Sequence, residues 1–387
     1  MQTKSTITTA FLNLRVLIGF GLCFVGLFIA LAASESITGT ALTIPESITW
    51  YVNGIHGSDS NNCQSPRTAC RTIGHAISLA GSGDSIKVAA ATYNENLTVG
   101  INLKITGASA STTIIDGGGL NTVVTIESGV QVTLSKFTIQ NGHGSQSGSG
   151  GGIVNFGTLI MNMSAVSGNT AVSSGGGIDN VGTLTIDNST VSGNIASGVS
   201  SSGGGVINGG SLTINNSTIS GNTASSTEGL ASGGGIESNS FVSINNSTVA
   251  DNAVNGTQGQ EGGNIYVSTG STATLQNSII ANSVSGGNCS GAVFSSGYNL
   301  SSDGTCDFNN TGDLNNSDPL LGPLQNNGGP TETMALLSGS PAIDAGNPLG
   351  CIDGQGRRFS SDQRGLPRPD REDTSGCDMG AYERQSD

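Results

Sequence analysis

The chain has 387 residues, of which 61 are glycine, 35% apolar, 4% aromatic and 10% charged; that is thin apolar material for a globular core of this length. Its net charge of −14 comes from 13 basic and 27 acidic residues. No Lys or Arg lies between Lys136 and Arg357, which excludes a nucleic-acid surface over that stretch, because neutralising phosphates needs basic side chains, and argues against tight binding of polyanionic sugars there.

Residues 1–33 read as an export signal. Lys4 and Arg15 precede an unbroken apolar run over residues 16–33, with small residues at Ala30 and Ala32, the pattern of a secretory leader cleaved near Ala33. The run is 18 residues long (16 to 33), at the lower bound for a spanning helix, so an uncleaved membrane anchor is the alternative. A lipid on Cys23 is disfavoured because the preceding residue, Leu22, is not small.

Residues 34–107 read as an N-terminal cap and first coils. A strand begins at Trp50, a loop runs from Cys63 to Cys70, and a helix is expected over residues 72–80, where Ile73, Ala76, Ile77 and Ala80 share one face. That spacing suits a short helix laid across the open end of a stack, covering its strand edges. Residues 108–286 form the repeats, degenerate at first, with Val132, Leu134 and Ile139 at core positions.

From residue 150 the frame is strict. Gly triplets begin at Gly150, Gly175, Gly203 and Gly233; nine positions on stand Leu159, Leu184, Leu212 and Val242, and ten further Asn169, Asn194, Asn222 and Asn252. Only the connector after each Asn changes length, so the period grows through 25, 28 and 30 residues (150 to 175, 203 and 233). Low-complexity sequence would not hold such a frame; a stacked solenoid with one elastic connector does. Apolar residues alternate within a unit, and β-branched and Gly residues disfavour helix. Parallel coils are therefore expected, eight to ten of them, with Ile178, Leu184, Ile186 and Val191 inside, stacked on Val206, Leu212, Ile214 and Ile219 and then on Ile236, Val242, Ile244 and Val249. The aligned Asn169, Asn194, Asn222 and Asn252 should form a structural amide ladder. The Asn-x-Ser/Thr sites at Asn188, Asn216 and Asn246 recur with the unit, so ladder chemistry accounts for them without glycosylation. Connectors at residues 170–174, 195–202, 223–232 and 253–261 are expected as loops on one side, a ledge of Ser, Thr and Gly with Ser226 exposed on it. After Asn252 the frame loosens: the corner is kept at Gly262, but Asn282 comes one position early.

Residues 287–387 read as closing coils and an irregular C-terminal region. Six cysteines flank the array, at Cys63, Cys70, Cys289, Cys306, Cys351 and Cys377. Export favours disulfides. Fifteen pairings are open to six cysteines; nearest neighbours, 63/70, 289/306 and 351/377, each close a small loop, with a free thiol as the alternative. Zinc is disfavoured because no pair has CxxC spacing.

The GGGI segments at Gly150, Gly175 and Gly233 and GGGV at Gly203, with their SGN partners, resemble bacterial surface proteins with polymorphic-outer-membrane-protein-like repeats, within the pectin-lyase-like family of right-handed parallel β-helices. Gly83, Asp84, Ile86, Val88, Thr92, Tyr93 and Glu95 spell GD-x-I-x-V and TYxE, and resemble the start of many secreted β-helix proteins. NNGGPTETMALLSGSPAIDAG from Asn326, DQRGLPRPD from Asp362 and GCDMGAYE from Gly376 resemble the choice-of-anchor Q domain. The resemblance implies an all-β chain: a single right-handed parallel β-helix (pectin-lyase-like solenoid) with a short N-terminal helical cap and an irregular C-terminal cap. It also implies a secreted or cell-surface protein. No apolar tail, sorting motif or run of barrel strands is visible after Glu383, so a C-terminal anchor is not expected.

For chemistry the array offers little. Lyases need a base, and the array has no Lys or Arg. Of Asp179, Asp187, Glu237 and Asp251, only Asp179 and Glu237 share a frame position, two coils or roughly 10 Å apart, slightly beyond the inverting range; they are expected to be solvated acids on a strand edge. His56, His75 and His143 suggest no triad. Asp344, Asp378, Glu383 and Arg364 or Arg368 are expected to make ion pairs and turn caps, and a calcium site on Asp344, Asp362 and Asp378 is an alternative without a diagnostic spacing. No catalytic residue, cofactor or metal ligand is assigned. The expected function is a non-enzymatic, adhesin-like surface protein, the alternative a divergent polysaccharide lyase or glycoside hydrolase. The expected partner is a surface polysaccharide or another cell-surface protein, not nucleic acid, with membrane contact only through an uncleaved N-terminal segment.

Overall fold

The computed structural model describes residues 47–144, 150–352, 356–370 and 376–385; the expected signal in residues 1–33 lies outside them. Within the described residues the chain is a parallel β-helix whose coils contribute to three stacked sheets, A of ten strands, B of nine and C of eight. One coil runs Thr183–Asp187 in sheet A, Thr190–Ser192 in B and Val206–Asn208 in C. The register is the expected one: Leu159, Leu184, Leu212 and Val242 stack in A, Val166, Val191, Ile219 and Val249 in B, and Ile153, Ile178, Val206 and Ile236 in C. All are fully buried, each worth about 1.5–3 kcal/mol of transfer free energy. A narrow column needs few of them per coil, which explains the low apolar content.

Each glycine of a triplet answers to a different contact. The first takes a positive φ, +65° at Gly175 and +58° at Gly233, which favours glycine. At the third, a Cβ on Gly152, Gly177, Gly205 or Gly235 would come within 2.8–3.0 Å of the side chain of Asn169, Asn194, Asn222 or Asn252. Those amides form the ladder: each Nδ2 donates to the Oδ1 of the Asn in the next coil at 2.9–3.0 Å from Asn169 through Asn252, and each Oδ1 also accepts the preceding Asn's backbone N–H. Beyond Asn252 the ladder does not stop. Ser283 occupies the corner where Asn is missing, and Asn264, standing where the third glycine would be, fills the space from the other side, accepting from Asn252 and donating to Asn288 at 2.9 Å.

The cap residues also acquire reasons. The helix spans Ile73–Leu79 with Thr72 as its N-cap, and Glu95 accepts the N–H groups of Ile73 and Gly74, both at 2.8 Å, a carboxylate on the positive end of a helix. Asp84 accepts Trp50 Nε1 at 2.8 Å and the Ile48 and Gly81 N–H groups. Among the described residues no helix is long and apolar enough to cross a membrane.

The last coils, through Leu300–Ser301, extend sheets A, B and C. The irregular C-terminal region that follows reaches further than a lid over the final coil. Residues 321–352, 356–370 and 376–385 fold back along the outer face of sheet B. An antiparallel hairpin, Leu321–Gln325 with Thr333–Leu336, packs Met334 and Leu336 with Met379 against Ala250, Ile279, Ala281 and Leu300. Farther along, Gln363 bonds Thr190 and Thr218, Ala381 N–H donates to Thr248, and Arg368 donates to Asn216.

Candidate functional site

The outward residues at mid-strand in sheet C form a row, Val154, Asp179, Ile207, Glu237 and Tyr266. Asp179 and Glu237 are two coils apart, but they are not solvated: they are only 7% and 8% exposed. The triplet glycines cause this. A Cβ on Gly175 would stand 3.1 Å from the Asp179 Cβ, and one on Gly233 2.6 Å from the Glu237 nitrogen, so the backbone lies directly over the row. Burial pushes both carboxyls up to about 6. At Glu237 this is partly offset by hydrogen bonds from Ser232, at 2.5 Å, Ser202 and Asn239; among the described residues nothing bonds the Asp179 carboxylate. Burial, then the charges of Glu261 and Glu237, raises Tyr266 as well. The row can therefore take up protons near pH 6. It has poor geometry for paired-carboxylate hydrolysis, because Ile207 stands between the acids and two coils span roughly 10 Å. Surface grooves of about 280–460 Å³ lie elsewhere. Asp187 and Asp251 sit on other rows, each raised by burial and partly offset by Asn215 with Arg357 and by Asn282 respectively.

The connectors, expected as loops, are strands. Thr170–Ser174, Ile195–Ser202, Thr223–Ser226 with Leu230–Ser232, and Ala253–Asn255 with Gly259–Glu261 pair in parallel as a fourth sheet, D. The reason is register: the ladder fixes the residue after each Asn at the same height, so Thr170, Ile195, Thr223 and Ala253 pair backbone to backbone. Ala171, Ala196, Ala224 and Val254 turn inward and are buried, with Ala224, Ala231 and Val254 forming a small core between the outgoing and returning arms. Ser226 is buried too, donating to Val199 O, and so corrects its expected exposure. On the outside, Val172, Ile195, Val199 and Leu230 are exposed, Val199 by 62%.

The remaining expected sites sort clearly. The cysteines pair as Cys63–Cys70, Cys289–Cys306 and Cys351–Cys377. His75 lies beside the first pair, with ligand atoms of all three residues within 4.8 Å, but the disulfide consumes both thiolates. Asp344, Asp362 and Asp378 form no such metal group among the described residues. Asp362 accepts the Arg364, Leu366 and Glu383 N–H groups and pairs with Arg364 at 2.8 Å, while Asp378 accepts the Asp344 and Arg384 N–H groups. Arg368 pairs with Glu383 at 2.8 Å, both fully buried. His56 and His143 belong to no triad; the His143 ring bonds Thr170. Asn188, Asn216 and Asn246 occupy positive-φ corners. Asn216 and Asn246 are buried, donating to Ser361 O and Ile352 O of the C-terminal arm, so the arm covers them against glycosylation. Sequence reasoning missed that docking role, whose only signal was the recurring Asn-Ser-Thr. It also missed a second amide row, Asn155, Asn180 and Asn208, bonded in series at 2.7 Å.

No family model matches the chain, and no curated protein matches it either. Among solved structures it is similar to a carrot pectin methylesterase, at 11% identity and a TM-score of 0.39, covering 68% of this chain and 82% of that one. It is also similar to the pectate lyase Pel9A, at 14% identity and a TM-score of 0.38, covering 87% and 96%.

Proposed function

We propose that this is an exported, non-enzymatic binding protein that holds an extended partner, a surface polysaccharide or another cell-surface protein, along sheet D. The observation that carries this reading is the flange itself: backbone-paired and therefore rigid, yet presenting Val172, Ile195, Val199 and Leu230 among Ser and Thr. Exposed apolar side chains gathered on one scaffold face suit a partner surface, and a ledge without a deep cavity suits extended, multivalent contact. Export is supported by the residues 1–33 pattern and by three disulfides, which persist in oxidising compartments. The choice-of-anchor Q resemblance of the C-terminal motifs adds a cell-surface location.

A second reading, glycoside hydrolysis or polysaccharide cleavage at the sheet C row, is favoured by the raised acids Asp179 and Glu237 and opposed by their separation. The two are told apart by probing the full chain on glycan and matrix-protein arrays and on a polysaccharide panel. The expected result is binding without bond cleavage, lost when Val172, Val199 and Leu230 are changed together to Ser. Undiminished binding by that variant overturns the flange, and product release abolished by Glu237→Gln replaces it with the second reading.

A further inference from the structure

A groove of about 400 Å³ on the outer face of sheet A is lined by Lys87, Lys104 and Lys136 together with Ser85, Thr106 and Asn162. These are the only lysines among the described residues, and they gather in one place on a chain of net charge −14. They sit on three consecutive coils: Lys87 pairs with Thr106 beside Lys104, and Thr106 pairs with Ser135, which precedes Lys136. None is in an ion pair among the described residues; the Lys87 ammonium lies 6.0 Å from the Tyr51 ring centre. The next carboxylate along that face, Asp187, stands beyond Asn162 and is bonded by Asn215.

Like charges on neighbouring strands repel, so the cluster has no stabilising return of its own. Lys136 adds a second anomaly. It takes a φ of +66° at the corner where later coils place Met163, Asn188, Asn216, Asn246 and Asn277; Asn adopts that conformation readily, whereas lysine and methionine incur a backbone cost there.

We propose that this groove binds an anionic polysaccharide, a site on a different face from the flange and independent of it. Cations rising one coil at a time, roughly 4.8 Å per step, meet a chain whose carboxylates or sulfates recur along its length, and the Ser, Thr and Asn floor offers partners for sugar hydroxyls. Lysines act as separate point charges, not as bidentate forks. A single-stranded nucleic acid would need rings to stack on, and in this groove's neighbourhood Lys87 already covers Tyr51.

The test is binding of the full chain to heparin and to polygalacturonate at low ionic strength, with dextran and a thymidine oligonucleotide as controls. Retention by either acidic polymer is expected, weakening as salt rises; whichever binds more tightly separates sulfate from carboxylate as the natural group. Lys87→Gln with Lys104→Gln should raise Kd about tenfold or more. Lys136→Asn should weaken binding while raising Tm, a combination that a merely structural lysine would not give. Failure of the parent to bind either polymer, equal binding by the variants, or tighter binding of the oligonucleotide overturns the proposal.

Discussion

The outer face of sheet B and the flange of sheet D grow from the same coils, yet they are finished in different ways. Sheet D is made by repetition: each connector pairs its backbone with the next, and a side chain lost from one coil leaves the pairing intact. The roof over sheet B is made of single-copy contacts, Gln363 on Thr190 and Thr218, Arg368 on Asn216, Ala381 on Thr248. Repetition makes the flange inseparable from the column. Single-copy polar bonds, worth about 0.5–1.5 kcal/mol each, make the arm a removable part.

The largest effect should come from the element common to both flanks. Ile214→Asp buries an unpaired charge in a fully enclosed position and should cost about 4–5 kcal/mol or more, enough to unfold the chain. Ser197→Asp, on the exposed side of sheet D, should stay within about 0.5 kcal/mol. Equal melting temperatures for the two would break the register on which the comparison stands.

Next comes the arm alone. Arg368→Ala leaves Glu383 buried without its partner, and breaking a buried pair costs about 3–5 kcal/mol, here drawn from arm docking and not from the coils. Trypsin reads this directly, because residues 137–356 contain no Lys or Arg whereas the arm carries Arg357, Arg358 and Arg364. Faster cleavage in the arm with an unchanged column melting temperature is expected; simultaneous loss of both would show that the two flanks are one cooperative unit.

A smaller effect separates the acids by pH. Burial raises Asp179 from 3.8 and Glu237 from 4.5 to about 6, and Glu383 from 4.5 to about 7, despite the Arg368 charge beside it. The folded state therefore binds more protons between the ordinary and the raised values, and stability falls as pH rises through that window. Thermal stability should be higher near pH 5 than near pH 7.5. Asp179→Asn should recover about 1–3 kcal/mol at pH 7.5, roughly half of that at pH 5 and little below pH 4; a flat profile in the parent would deny that these acids are buried.

The parts legible in the sequence are those fixed by repetition. Apolar alternation set the sheet register, and the invariant Asn set the ladder. What was not legible depends on contacts between residues far apart in the chain. Asp179 looked solvated because nothing local shows that the Gly175 backbone lies over it. The frame past Asn252 looked loosened because Asn282 comes one position early, although GGN at Gly262 and Ser283 at the ladder corner are a compensating pair in which Asn264 supplies the amide that Ser283 lacks. The arm's path was hidden because each of its contacts occurs once. The connectors were misjudged for the opposite reason: their lengths differ, but the ladder aligns their first residues, and alignment was enough for pairing.

The smallest expected effect on stability falls on the flange surface, and there the comparison becomes functional. Val172, Val199 and Leu230 are exposed by 39%, 62% and 53%, so changing each to Ser removes little buried area and should alter stability by no more than about 0.5 kcal/mol. The inward Ala224 and Val254 provide the contrast, because they are fully buried: Val254→Ser places a hydroxyl in the small core between the arms and should cost about 1–3 kcal/mol. If sheet D is only a by-product of stacked connectors, the outward triple variant will match the parent in both melting temperature and partner binding. If the flange is a binding face, the two readouts will part: outward variants will lose binding at constant stability, whereas Val254→Ser will lose stability first and binding only in proportion to the fraction unfolded.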